Sequence, residues 1–184
     1  LLPLRHGMAA LYEELGAYLR LKASVFEPVR GVDVQQRRLA LAQTNARVVA
    51  ALNSAKESLF SRMDAQPPQG RLLQLLNLYF IAQDIHERAS SSHYDYNEWA
   101  DVLFHSDVLY RCQRVLTLQG MACTQLREAL RRRRPLVRDA GHVQALADLH
   151  DSITYLERQG QSAWQRPLRS LCASSRLAAT QSLV

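Results

Sequence analysis

Leu109, Cys112, Leu116, Gln119, Cys123, Leu126 and Leu130 recur at alternating steps of three and four. That spacing puts one residue per turn on a single side of an α-helix. A seam held over so many turns commits the segment to a helix packed along its length against a neighbour. The same period runs through the rest of the chain. Leu4, Met8, Leu11, Leu15, Tyr18 and Leu19 follow Pro3, which suits a first helical turn, and the run stops at Phe26-Glu27-Pro28. Asp33 is placed to cap a long second helix whose face is marked by Leu39, Ala42, Ala46, Val49, Leu52, Ala55, Leu59 and Met63. That helix ends before Pro67-Pro68-Gln69-Gly70. From Arg71 a third helix carries Leu72, Leu76 and Tyr79, and Gln83, His86 and Ser90 continue the same face up to the serine triplet.

Asp95 followed by Glu98 has capping-box spacing and opens a short helix with Trp99, Val102 and Leu103, which Ser106-Asp107 kinks or restarts. Pro135 ends the long seam after Arg131-Arg132-Arg133-Arg134. Val143, Leu146, Ile153 and Leu156 mark a further helix closed by Gly160, and Pro167 starts a last one toward Leu168, Leu171 and Leu177. No alternating run of strand length with a hairpin turn occurs, and 184 residues contain only seven Gly and six Pro. The expectation is all-α: an up-and-down antiparallel bundle of about six helices, built as one domain over residues 1–184 and joined by loops of about three to eight residues.

The net charge of +6 is carried by arginine, since Lys22 and Lys56 are the only lysines. The arginines alternate with Glu and Asp on every helix, the pattern of solvated faces rather than of one binding stripe. The run Arg131 to Arg134 is the exception. At a helix C-terminus it complements the macrodipole, and beside a membrane it would be drawn to anionic lipid headgroups. No recognition helix or aromatic stacking set accompanies it, so nucleic acid is not the expected partner. Cys112, Cys123 and Cys172 form no C-x-x-C pair, and their odd number points to a reducing compartment. No stretch of about 18 apolar residues is present to span a bilayer. The chain opens on Leu1-Leu2-Pro3-Leu4 without an initiator Met, which suggests a piece of something longer.

The stretch from Asp84 to Arg114 crowds His, acid and Arg onto faces that should be buried. Asp84, His86, Glu87, Arg88, His93, Tyr94, His105, Asp107, Arg111 and Arg114 are the candidate residues. Buried polar groups need partners, so they build an internal network or bind something. His86, His93 and His105 lie near Asp84, Glu87, Asp101 and Asp107, yet neither the Glu-x-x-His pairs of di-iron bundles nor His-Glu-x-x-His is present. Ser90, Ser91 and Ser92 beside His93 lack the glycine frame of a nucleophile elbow, and no glycine-rich phosphate loop exists. Neither catalysis nor a metal or cofactor is expected. Tyr94, Tyr96, Trp99, Phe104 and Tyr110 could stack on an aromatic carboxylate paired by Arg88 or Arg111, or simply fill the core. Asp84 with Arg88 and Asp107 with Arg111 stand at i,i+4 in the favourable acid-first order. The preferred reading is a buried polar clasp holding the third helix against the one that follows.

His86-Glu87-Arg88-Ala89-Ser90-Ser91-Ser92-His93-Tyr94 and the run from Phe104 to Arg114 resemble the signature of the YccS/YhfK family of bacterial inner-membrane proteins, of the fusaric-acid-resistance-like group. The resemblance extends through Leu11-Tyr12, Tyr18 to Ala23 and Leu39 to Asn45, covering about the first two thirds of the chain. It implies a soluble helical domain on the cytoplasmic side of an efflux protein, between two blocks of transmembrane helices. The implied partners are the membrane-embedded parts of the same polypeptide, a second copy of the chain, or an anionic lipid surface. The implied role is assembly or regulation; sensing of an aromatic carboxylate, or a soluble adaptor role, is the alternative.

Overall fold

The structure, a computed structural model, describes residues 1–27, 34–65, 67–91, 103, 106–137 and 140–159. These form α1 (Leu2–Val25), α2 (Val34–Met63), α3 (Arg71–Ser91), α4 (Val108–Arg132) and α5 (Ala140–Arg158), with no strand among the described residues. The all-α bundle expected from the periodicity is what the chain forms. The short helix expected around Trp99 and the last one after Pro167 lie outside the described residues, as do the caps at Asp33, Asp95 and Gly160.

The long ion pairs and hydrogen bonds set the direction of each helix. Glu13 meets Arg127 at 2.9 Å and Glu27 meets Gln113 at 2.9 Å, so α1 and α4 run antiparallel. Glu14 with Arg47 and Glu27 with Arg37 give the same relation for α1 and α2, and Asp107 with Ser152 followed by Arg111 with Asp148 gives it for α4 and α5. The Tyr12 hydroxyl donates to the Leu78 carbonyl at 2.8 Å and, further along both helices, Tyr18 meets His86, which places α1 and α3 side by side and parallel. The result is an up-and-down bundle in which α1 is central, touching α2, α3 and α4, while α5 covers the far side of α4.

The α1 and α4 seams are buried at every position named from the sequence. Their crossing is close because glycine faces glycine. A Cβ on Gly16 would sit 3.1 Å from the Gly120 carbonyl oxygen and 3.1 Å from Cys123 Cβ, and one on Gly120 would fall 2.6 Å from Arg20 Cγ. Arg20 closes the contact by donating to the Gly120 carbonyl at 3.2 Å and to Thr124 Oγ1 at 2.7 Å.

Three expected faces are corrected. On α2 the buried stripe is Thr44, Val48, Leu52, Ala55 and Leu59, whereas Leu39, Ala42, Ala46 and Val49 face outward. The helix carries apolar residues on two sides, both continuing into Leu52 at steps of three or four, and only the positions of α1 and α3 choose between them. On α3 Gln83 is exposed, and Leu75, Leu78, Ala82 and Ile85 complete the buried face. On α5 Val143 is 64% exposed because the side toward α4 is built from His142, Ala145, Leu149, Ser152, Ile153 and Leu156.

Candidate functional site

The stretch that looked like one cluster divides into two. His86, on the buried face of α3, has its Nε2 2.7 Å from Asn45 Oδ1 on α2. Its ring meets Tyr18 of α1 edge-on, with centroids 5.7 Å apart. Lys22, one turn beyond Tyr18, is only 2% exposed. Burial pulls its ammonium down to about 8. Burial first and the Lys22 charge second push the His86 imidazole below its usual value, against the opposing pull of Glu87. His86 therefore stays neutral in this site at neutral pH and bridges α1, α2 and α3. The helix joined to α3 by these contacts is not the one that follows it in sequence, because α1 occupies the centre of the bundle.

The second group sits where α4 begins. Asp107 precedes the first turn of α4 and pairs with Arg111, which also reaches Asp148 of α5 at 3.3 Å. Burial acts to raise the Asp107 carboxyl, but hydrogen bonds from Arg111 and from Ser152 of α5 hold it below its ordinary value. This network ties α5 onto α4. At the end of α3, Asp84 and Arg88 form an i,i+4 pair at 3.1 Å with both side chains 40% exposed. Both arginines proposed to bind a ligand carboxylate thus already face carboxylates of the chain. Glu87 and Arg114 are exposed, and His93, Tyr94 and His105 lie outside the described residues. Among the described residues no three His, Cys, Asp or Glu side chains form a metal-ligand group. Cys112 and Cys123 are buried thiols that form no disulfide, and burial drives the Cys123 thiol up to about 12, where it is no nucleophile.

The run Arg131 to Arg134 also divides. Arg131 reaches across to Glu13 of α1 at 3.8 Å, and Arg132 reaches Glu128 of its own helix at 3.1 Å. Arg133 takes a left-handed backbone, φ 54°, at the end of α4, turning itself and Arg134 toward the beginnings of α1 and α3. There Arg5 and Arg71 join them around a cavity.

Sequence reasoning passed over Lys22, Asn45, Arg5 and Arg71. Lys22 had a signal: it lies seven residues after Leu15 and four after Tyr18, on the apolar face of the first helix. Arg5 and Arg71 had none, because they meet only when the ends of α1, α3 and α4 are brought together.

A family model described as FUSC-like inner membrane protein yccS matches residues 2–180. The inner membrane protein YccS of Escherichia coli (strain K12) is 37% identical over 161 residues, which is 88% of this chain and 22% of that protein. A Haemophilus influenzae protein described as uncharacterized is 36% identical over 133 residues, covering 72% of this chain and 18% of its own length. The chain thus spans about a fifth of the relatives it matches. The family match runs well past Pro135, beyond the two thirds over which the resemblance was traced from motifs. No solved structure matches.

Proposed function

The chain belongs to the FUSC-like family of inner membrane proteins, and from that premise we propose that it forms a helical domain on the cytoplasmic side of an efflux transporter, where it serves assembly. Among the described residues no helix is long and apolar enough to cross a membrane, which fits a domain standing beside the bilayer. The transport side of the reading rests on the resemblance to exporters of the fusaric-acid-resistance type.

The observation that carries assembly is the outer face of α2. Leu39, Ala42, Ala46, Val49, Asn53, Lys56 and Phe60 follow one another at alternating steps of three and four. Leu39 is 60%, Val49 40% and Phe60 41% exposed. A heptad stripe turned away from its own core suits pairing with an identical helix, and one asparagine within it is a device that sets register. A second copy offers the same stripe, so the contact closes on itself as a two-fold dimer.

Light scattering tests this directly. The chain is expected to run as a dimer at micromolar concentration with a melting temperature that rises with concentration, and Val49→Glu to run as a folded monomer of unchanged helical content whose melting temperature does not. A wild-type chain that stays monomeric at high concentration overturns the reading.

A further inference from the structure

We propose that the end of the bundle where α1 and α3 begin and α4 stops binds an amphipathic phosphate. Its head is held by Arg5, Arg71, Arg133 and Arg134, and its apolar chain lies on the leucines between them. A cavity of about 310 Å³ opens there, within the range of small-ligand sites. Its floor is apolar, with Leu75 and Leu78 from α3 and Leu126 from α4. Its walls carry the four arginines and no Asp or Glu.

The positive charge of this end is uncompensated. None of the four guanidiniums takes part in an ion pair among the described residues, whereas their neighbours Arg127, Arg131 and Arg132 are all matched to Glu13 or Glu128. Arg5 Nε is buried without an acceptor, a costly state for a charged donor and one that a bound anion relieves. α3 points its N-terminus at this end and has no acidic residue in its first turn, so its free N–H groups add to the positive field. Arg133 occupies a left-handed position that glycine fills at less cost, which argues for a role of its side chain.

Four guanidiniums around one cavity match a phosphate better than a single carboxylate. Each guanidinium offers a planar fork of donors, and a phosphate presents several acceptor oxygens in more than one direction. The leucine floor requires an apolar chain on that phosphate, because a free phosphate leaves the floor uncovered. A bilayer phospholipid and a soluble alkyl phosphate share this chemistry. The site stands on residues separate from the α2 stripe and does not depend on assembly through it.

The test is calorimetric titration of the full chain with dodecyl phosphate below its micellar concentration, with inorganic phosphate and dodecanol run alongside. Saturable binding of one dodecyl phosphate per chain is expected, with both comparison compounds weaker by about tenfold or more. Arg5→Gln with Arg71→Gln should weaken binding by about tenfold per guanidinium removed, the factor for one lost charge-assisted hydrogen bond. Arg62→Gln, on the exposed surface of α2, should leave it unchanged. Urea unfolding of each variant shows whether the fold is kept, and Arg133→Gly, which relieves its own backbone, provides a second variant that removes a cation without threatening folding. Sedimentation with phosphatidylglycerol vesicles identifies the source: arginine-dependent pelleting assigns a bilayer lipid, and monomer binding without pelleting assigns a soluble amphiphile. Inorganic phosphate binding as tightly as dodecyl phosphate, full affinity in the arginine variants, or no saturable binding overturns the proposal.

Discussion

Gly7 and Gly16 lie on the same helix, and the same substitution should act on them with opposite sign. A Cβ on Gly7 meets nothing within 4 Å. Gly7→Ala should therefore gain the full helix preference of alanine, about 0.8–1 kcal/mol. Gly16→Ala gains the same term but drives a methyl to 3.1 Å from both Cys123 Cβ and the Gly120 carbonyl oxygen. Carbon contacts settle at about 3.5–4.0 Å, and the carbonyl belongs to the α4 backbone, so relief requires α1 and α4 to separate. Overpacking of this kind costs about 1–3 kcal/mol, which leaves Gly16→Ala destabilised by about 0–2 kcal/mol. The helix term cancels between the two variants, so they should differ by about 1–3 kcal/mol. In a chain of this size that is a separation of roughly 2–12 °C in melting temperature. Urea unfolding followed by circular dichroism measures it. If Gly16→Ala is stabilised as much as Gly7→Ala, the two helices do not approach as described and the argument for the crossing fails.

Further outcomes follow from the polar contacts of His86, Lys22 and Asp107. His86→Ala should cost about 1–3 kcal/mol, and a double-mutant cycle with Asn45→Ala should return a coupling of about 1 kcal/mol; additive losses would show that the two do not interact. Because the His86 imidazole is held below its usual value, its share of stability is present above about pH 6.5 and is lost as pH falls, and His86→Ala should flatten that acid limb. Lys22, pulled down to about 8, binds its proton more weakly folded than unfolded, so stability should rise between pH 8 and 10 and Lys22→Met should abolish the rise, as urea midpoints across that window would report. Asp107→Ala should cost only about 0.5–1 kcal/mol, since the side chain is 54% exposed. Asp107 lies below its ordinary value, so its contribution is present above about pH 3.8 and is lost as pH falls; an unchanged acid midpoint in the variant would contradict this.

Helix existence and the inward faces of α1 and α4 were legible in the chain because a three-and-four period over several turns has one structural meaning. The polar stretch from Asp84 to Arg114 was legible as unusual, and the i,i+4 pairs Asp84–Arg88 and Asp107–Arg111 formed as the helical spacing requires. Its partners were not legible. Asn45 and Tyr18 lie many residues from His86, and their meeting depends on α1 taking the central place. The face of α2 failed for a related reason, since both of its apolar stripes satisfy the helical period.

The sequence by itself determined local matters: where the described helices run, that α2 and α4 end ahead of Pro67 and Pro135, and the family to which the pattern belongs. Tertiary structure alone decided which stripe of α2 is buried, that Lys22 is enclosed with His86, and that Arg5 and Arg71 join the end of the Arg131 to Arg134 run around a cavity. The reason is geometric. Periodicity fixes the angle of a side chain about its own axis, and only the packing of helices far apart in the chain fixes what stands at that angle.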